Sequence, residues 1–371
     1  MSDVSVMLSA GGTGGHLFPA FALAQELQRR GVAVDLMTDQ RGDKFGADFP
    51  ARATYHIASS TLAGRSAGAI TKTGMTLTKG IAMAYKILGQ VKPKAVIGFG
   101  GYPTFPPLIA ARLRRIPSAL HEQNAVLGRA NTMLAKRVTA IATSFEGVKG
   151  IDPGVQAKVR LTGNPVRDLV IDWGQRAYSK PDPAGPLLLL VFGGSQGARY
   201  FSDTMPPALE RLPPDLRRRL FVVQQCREED LARVEAAYIA AGIHAKLATF
   251  FANLPEEMAR AHLVIGRAGA STVAELTVMG RPSVLVPLPH ALDNDQFNNA
   301  MRVDAAGGAL CIEQKDLTPE RLADELARLF VNPDALAAAA AAARSQGRPD
   351  AVHRLADLVE ELAGLRAANT V

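Results

Sequence analysis

Cysteine is scarce: Cys226 and Cys311 are the only two in 371 residues. That count excludes a disulfide framework and a cysteine-built metal cluster, and each residue lies in an apolar, strand-like run that reads as a buried free thiol. No His or Cys spacing looks like a zinc site, so no metal ligands are expected. Aromatic residues make up only 6% of the chain, and there is neither a long basic run nor an RNA-binding motif, which disfavours a nucleic-acid partner. Long hydrophobic runs are also missing. The longest stretches without Asp, Glu, Lys or Arg, Val4 to Gln25 and Ala95 to Ala111, are broken by glycine turns, by His16 or by prolines, so neither is a membrane span. No basic segment precedes the first apolar run, which therefore reads as a first strand rather than a signal peptide, and a cytosolic setting is expected. Acidic residues number 35 against 42 Lys and Arg; the resulting net charge of +7 points to an anionic partner, which charge alone does not specify.

What the chain does have is 47% hydrophobic residues over a length that makes two domains the default. Apolar runs alternate with helical patterns throughout, the signature of a parallel sheet in an α/β fold. Strands are expected near Val4–Ser9, Val32–Thr38, Ala95–Gly100, Ser118–Glu122 and Thr139–Ser144. After the polar, Pro-rich "WGQRAYSKPDPAGP" the pattern restarts at Leu187, with further strands at Phe221–Gln225, Leu263–Gly266 and Ser283–Pro287. The reading is two doubly wound domains, each with its own glycine turn, facing a cleft. The alanine run Ala337–Ala343 is strongly helix-forming, and Val352, Leu355, Val359 and Leu362 sit at helical spacing in a last helix, Ala351 to Leu365.

The first glycine turn, "LSAGGTGGHLFPA", fits neither common nucleotide loop. A dinucleotide loop started at Gly12 finds Leu17 where its third glycine belongs, and a triphosphate loop finds His16 and Leu17 in place of Lys and Ser or Thr. What remains is a strand ending in glycines that opens a helix and leaves backbone N–H groups for an anion or a sugar hydroxyl. His16 heads that turn, where a neutral imidazole can take a proton from an attacking hydroxyl; a packing or capping histidine is the plainer alternative. In the second half, "GRAGASTVAEL" starts a helix near Ser271 whose free N–H groups suit a diphosphate, with Glu275 one turn in, where a carboxylate accepts both hydroxyls of a ribose. The competing reading is that Ser271 and Thr272 cap the helix while Glu275 faces water. "GGSQGAR" is another anion-ready turn, with Ser195 as hydroxyl donor, or a plain tight turn. In "PHALDNDQFNNA", Asp295 and Gln296 pair donors with acceptors as sugar hydroxyls require, or form a polar helix start. "LHEQNAVLGRAN" ends a strand with His121, Glu122, Gln123 and Asn124. Finally, in "TKTGMTLTKGIAMAYKILGQVKP" Leu77, Ile81, Ala84 and Leu88 share one helical stripe, and Met75, Lys79, Met83 and Lys86 are read as the opposite face. Apolar and basic residues together suit an anionic bilayer, with a solvated lysine face as the alternative.

Seven motifs, "GGTGGH", "GFGGYPT", "HEQN", "GNPVR", "GGSQGAR", "RAGASTVAE" and "DQFNNA", occur in the order seen in the MurG family of peptidoglycan N-acetylglucosaminyltransferases, and in this respect the chain resembles that family from Gly11 to Ala300. The resemblance implies the GT-B arrangement of two Rossmann-like parallel-sheet domains: residues 1–164 on the acceptor and membrane side, 165–346 for the UDP-sugar, and a C-terminal helix in 347–371 packing back on the first domain. It implies an inverting transfer of N-acetylglucosamine (GlcNAc) from UDP-GlcNAc to the C4 hydroxyl of undecaprenyl-diphospho-muramoyl-pentapeptide, the lipid I to lipid II step. By motif, Glu275 holds the ribose. The helix start at Ala270, Ser271 and Thr272, with Ser195, takes the diphosphate. Phe250 and Phe251 stand where the uracil pocket is expected, and Arg167 approaches the donor. Gln296, with Asp295, reads the glucosamine hydroxyls. Thr13, Gly14, Gly15 and Asn124 join the donor contacts from the acceptor side of the cleft, and Tyr102, His121 and Glu122 line the acceptor. His16 is the expected base. Met75, Lys79, Met83 and Lys86 become a membrane face on a peripheral protein at the cytoplasmic face of the cell membrane. No cofactor is called for, a divalent cation is left open, and other cell-wall synthesis proteins are conceivable partners. The competing readings are a UDP-sugar 2-epimerase and a non-catalytic nucleotide-sugar binder of the same fold.

Overall fold

A computed structural model describes residues 4–11, 14–39, 49–59, 67–194 and 198–366. Its contacts divide the chain into two compact units, one reaching to Arg167 and resuming at Pro349, the other Asp168–Arg348.

In the first unit the chain runs β1 (Ser5–Ser9), α1 (Gly14–Arg29), β2 (Ala33–Thr38), β3 (Thr54–His56), α2 (Ala67–Val91), β4 (Ala95–Gly98), α3 (Phe105–Leu113), β5 (Ser118–Glu122), α4 (Arg129–Leu134), β6 (Ala140–Thr143) and β7 (Val159–Leu161). Among the described residues these strands form one parallel sheet of seven, ordered β3-β2-β1-β4-β5-β6-β7. β1 and β4 are buried along their whole length. Helices cover both faces, so successive residues go to opposite cores: Val6 and Leu8 pack with α1, and Met7 packs with α2, α3 and α4.

The second unit runs α5 (Asp168–Gly174), β8 (Leu187–Phe192), α6 (Ala198–Glu210), α7 (Pro214–Arg219), β9 (Leu220–Gln225), α8 (Leu231–Ala240), β10 (His244–Ala248), α9 (Leu254–Arg260), β11 (Leu263–Gly266), α10 (Ala270–Met279), β12 (Ser283–Leu285), α11 (Asp295–Ala305), β13 (Ala309–Cys311), α12 (Pro319–Phe330) and α13 (Pro333–Ser345). Its six described strands are again parallel, in the order β10-β9-β8-β11-β12-β13. Cys226 is buried just after β9, whereas Cys311, expected to be buried, is half-exposed at the end of edge strand β13.

The last helix, α14 (Ala351–Leu362), lies in the first unit, where Leu355, Ala356, Leu358 and Val359 join the α1 residues Leu17, Ala20, Leu23, Ala24 and Leu27 in one core. Polar contacts fix its register: Arg30 reaches Asp357 at 2.6 Å and Glu360 at 2.8 Å, and the His353 ring meets the buried Glu26 carboxylate at 2.9 Å.

Strands β3, β7, β10 and β13 were not among the strands expected from sequence. β3 reads TYH and β10 reads HAKLA, edge strands with exposed polar residues and no apolar run to announce them. In each sheet the strand order reverses once, between β1 and β4 and between β8 and β11. Ligands of open α/β sheets bind beyond the carboxyl ends of the strands at that reversal.

Candidate functional site

All four strands at the two reversals run into glycine. β1 leads to Gly11, β4 to Gly100 and Gly101, β8 to Gly193 and Gly194, and β11 to Gly266 and Gly269.

In the first unit Gly11 passes so close to the end of β2 that an added Cβ would stand 2.9 Å from Asp39 Oδ1. α1 then opens at Gly14, and His16 lies in its first turn with Nδ1 3.3 Å from the Gly11 carbonyl. A carbonyl only accepts, so Nδ1 carries the proton and Nε2 of the neutral ring keeps its lone pair. Burial lowers the pKa of this ring, against a smaller opposing effect of the Gly11 carbonyl, which keeps it neutral near pH 7. Nε2 faces the β4 turn, where an added Cβ on Gly100 would lie 3.4 Å away. Gly100 and Gly101 have φ of 85° and 72°, so glycine serves both the turn and the imidazole beside it. Tyr102 follows, half-buried, at the head of a short 3-10 turn. Arg167 lays its guanidinium over the Phe18 ring, 5.2 Å from its centroid, and so stands beside the start of α1.

The HEQN segment at the end of β5 is framework, which corrects the expected acceptor contacts of His121 and Glu122. His121 is 0% exposed, with Nε2 2.9 Å from the Gly163 carbonyl and Nδ1 3.0 Å from the Gln123 amide nitrogen. Its protonated Nε2 donates and its bare Nδ1 accepts, and burial drives its pKa down to about 4. Gln123 Nε2 also donates to the Phe99 carbonyl at 2.9 Å, so this pair ties the "GFGG" turn to the "GNPVR" segment. Glu122 is 1% exposed and accepts from Gly128 N, Asn131 Nδ2, Asn124 N and Asn124 Nδ2, at 2.8, 2.8, 2.9 and 3.3 Å. Burial raises the pKa of this carboxyl despite those donors. The carboxylate is thus spent on the loop that positions half-buried Asn124 and on Asn131 of α4, and neither His121 nor Glu122 has surface to offer a ligand.

In the second unit α10 starts at Ala270 behind Gly269, the N-cap residue, which has no side chain to cap it. The N-cap position is thus filled by a glycine, and the first turn carries Ser271 and Thr272 at the positive end of the helix dipole. Glu275 is buried on this helix rather than turned to water. α11 packs against α10, and its first residues are Asp295 and Gln296. Asp295 Oδ1 accepts from Gln296 N at 2.6 Å, and burial raises its pKa. Gln296 Oε1 accepts from Leu288 N at 3.0 Å, which fixes the amide with its N–H groups as the side to present. Of five non-glycine residues with positive φ in the described chain, His290, Asp293 and Asn294 fall in the loop leading here. Such concentrated strain marks functional loops.

The structure does not treat the two phenylalanines alike. Phe250 is 75% exposed beyond edge strand β10, whereas Phe251 is 7% exposed, packed with Lys246 Nζ 5.6 Å from its ring. Thr13 and Ser195 lie outside the described residues. On α2, Met75 is 71% exposed and Lys79 and Lys86 are exposed, but Met83 packs half-buried on the core. The correction follows from pitch: eight residues at about 100° each place Met83 roughly 80° away from Met75, while Ala82 completes the outer stripe. Sequence reading passed over Asn299, which is 0% exposed and donates to the Ala268 carbonyl at 3.1 Å, and Arg267; both sit inside quoted motifs, and a lone charge closing an apolar strand was the available signal.

Residues 6–143 match the glycosyltransferase family 28 N-terminal domain, and residues 188–355 match the glycosyltransferase family 28 C-terminal domain. The chain belongs to glycosyltransferase family 28. One relative within this family, from Rhodopseudomonas palustris, is named UDP-N-acetylglucosamine–N-acetylmuramyl-(pentapeptide) pyrophosphoryl-undecaprenol N-acetylglucosamine transferase; it is 52% identical over 358 residues, 96% of this chain and 98% of the relative. The crystal structure of Acinetobacter baumannii MurG is similar with a TM-score of 0.79 at 30% identity, covering 96% of this chain and 99% of the other. A UDP-GlcNAc 2-epimerase from Neisseria meningitidis, solved bound to UDP-GlcNAc, matches with a TM-score of 0.67 but 13% identity, over 96% of this chain and 100% of the other, a likeness of fold alone. Among the described residues, no helix of this family 28 chain is long and apolar enough to cross a membrane, and no cluster of three or more His, Cys, Asp or Glu is placed to hold a metal.

Proposed function

We infer that this chain is the N-acetylglucosaminyltransferase that moves GlcNAc from UDP-GlcNAc to undecaprenyl-diphospho-muramoyl-pentapeptide, making the lipid-linked disaccharide of peptidoglycan synthesis. The observation that carries this is 52% identity, across nearly the whole of both chains, with an enzyme named for that transfer.

The donor is assigned to the second unit. Its diphosphate meets the start of α10 at Ala270, Ser271 and Thr272, where the positive end of the helix dipole stabilises the leaving UDP. Glu275 accepts from the ribose hydroxyls. The amide N–H groups of Gln296, with Asp295, read the glucosamine hydroxyls, and exposed Phe250 is the aromatic left for the uracil. Ser195 is assigned to the diphosphate and Thr13 to the donor contacts by motif alone. The acceptor is assigned to the first unit, with Tyr102 beside it; Gly14, Gly15 and Asn124 of that unit are assigned, with Thr13, to donor contacts from the acceptor side, and Arg167 approaches the donor. The C4 hydroxyl attacks C1 from the face opposite UDP; its proton passes to Nε2 of His16, the C1–O bond to UDP breaks, and the anomeric configuration inverts. Met75, Lys79 and Lys86 on the outside of α2 carry the apolar and basic character of a face that meets anionic lipid on the cytoplasmic side.

The test is transfer of radiolabelled GlcNAc from UDP-GlcNAc to a short-chain analogue of the acceptor lipid. Label that moves only when acceptor is present is the expected result. Epimerised sugar, or donor left unchanged, would refute the assignment.

A further inference from the structure

Arg267 stands just past β11, three residues before α10, and is 6% exposed. Among the described residues no carboxylate pairs with it. Instead Nη1 donates to the Val286 and Pro287 carbonyls at 3.1 and 3.2 Å, and Nη2 donates to Gln314 Oε1 at 2.7 Å. The guanidinium is flanked by the Tyr200 and Phe201 rings, with centroids 5.2 and 5.1 Å away. One side chain thereby joins the carboxyl ends of β11, β12 and the segment after β13. A buried cation without a counter-charge lowers stability unless it does something else, and burial brings its pKa down to about 10.

The backbone it grips continues directly into Leu288, whose N–H holds Gln296 Oε1 at 3.0 Å. Beyond Leu288 the loop carries the positive φ values of His290, Asp293 and Asn294 on its way to α11, so the position of Leu288 is set on its upstream side by the Val286 and Pro287 backbone. We propose that Arg267 is the positioning residue for sugar recognition: by clamping the Val286 and Pro287 carbonyls it sets Leu288 N, and through it the direction in which Gln296 presents its amide. This rests on the reading that Gln296 contacts the sugar of the donor. Arg267 itself need touch no substrate. Its planar fork is what lets it hold two adjacent carbonyls and an amide oxygen together, which the single ammonium of lysine cannot reproduce.

The experiment measures kcat/KM with UDP-GlcNAc and with UDP-N-acetylgalactosamine, and inhibition by UDP alone, on the full chain. The variants are Arg267→Met, Arg267→Lys, Gln296→Ala and the double variant Arg267→Met with Gln296→Ala. Loss of one well-placed hydrogen bond corresponds to about tenfold, so Arg267→Met and Arg267→Lys should each lose about tenfold of the preference for UDP-GlcNAc. UDP, which lacks the sugar, should inhibit them as it does the parent. The double variant should lose no more than Gln296→Ala alone, because both changes remove one contact. Multiplying losses, weakened UDP inhibition, or preference restored by lysine would each overturn the proposal. If Gln296→Ala loses the preference while Arg267→Met keeps it, the clamp fails and the sugar-reading role of Gln296 stands. If Gln296→Ala itself keeps the preference, that role fails and the clamp with it. Should Arg267→Met not fold, Gln314→Ala frees one arm of the clamp without removing the charge and is expected to show a smaller loss in the same direction; unchanged preference there would overturn the proposal.

Discussion

The buried His121 makes the first unit sensitive to acid in a way that can be calculated. Its folded pKa is about 4, against an unfolded value of about 6.5, because burial disfavours the imidazolium. The unfolded chain therefore binds more protons than the folded one throughout that interval. The stability contributed by the neutral ring is complete above pH 6.5 and is lost as the pH falls toward 4. Between about pH 7.5 and pH 5 the linkage relation gives a loss on the order of 2 kcal/mol from this residue alone. His121→Gln keeps an amide donor near the Gly163 carbonyl but cannot titrate. Hydrogen exchange of the β5 and β6 amides, corrected for intrinsic rates, reports on this unit independently of the other. The parent should lose about 2 kcal/mol more than His121→Gln over that pH drop. His16, shifted in the same direction, and Glu122, whose raised pKa acts with the opposite sign, are present in both proteins and cancel in the difference. Equal losses in the two proteins would show that His121 is not the buried neutral ring described here.

If His16 is the base, His16→Ala should lower kcat by about 10²- to 10⁴-fold with little change in donor KM, and equal loss of both would remove the assignment. In the parent, burial holds the ring neutral, so kcat should stay flat as the pH falls to about 6.5 and decline only below it. Lys79→Glu with Lys86→Glu should weaken binding to anionic vesicles by tenfold or more, at about 1 kcal/mol per charge near the surface, while transfer to a water-soluble acceptor is unchanged; vesicle co-sedimentation decides it, and undiminished binding rules this face out. Leu355→Ala in α14 should destabilise the first unit by about 2–5 kcal/mol, read as faster exchange of α1 amides with second-unit protection intact. Slowed or unchanged α1 exchange would mean that α14 does not hold that core.

The central strands and glycine turns were legible because the same residues encode both: β1, β4, β8 and β11 are apolar runs that stop at glycine. The edge strands were not. β10 has the composition of a loop, and only pairing with β9 extends it. At the site, sequence read chemical capacity well and direction poorly. His121 and Glu122 carry the groups that bind sugars, yet their strand register turns them inward, and nothing in "HEQN" records which of its members reach the surface. Phe250 and Phe251 are identical letters, one exposed and one buried. Met83 was misplaced by one step of helical pitch, an error that the partner core on α3 and α4 exposes at once.

The inward turn of those polar groups has a physical reason common to both units. A glycine turn can let its backbone approach an anion only because it has no side chains, and for that reason it has none with which to fix itself. The strand ends must be held from outside. In the first unit His121 and Gln123 join the Phe99 and Gly163 carbonyls; in the second, Arg267 and Asn299 hold the carbonyls of Val286, Pro287 and Ala268. Each of these four side chains is nearly or wholly buried and gives at least one donor to a main-chain oxygen at the carboxyl end of a parallel strand. An apolar residue could fill the same volume, but it would leave those oxygens unsatisfied and the turns free to drift. Motifs that look from sequence like lists of ligand contacts are therefore partly lists of the residues that keep the contacts still, and burial of the polar atom separates the two.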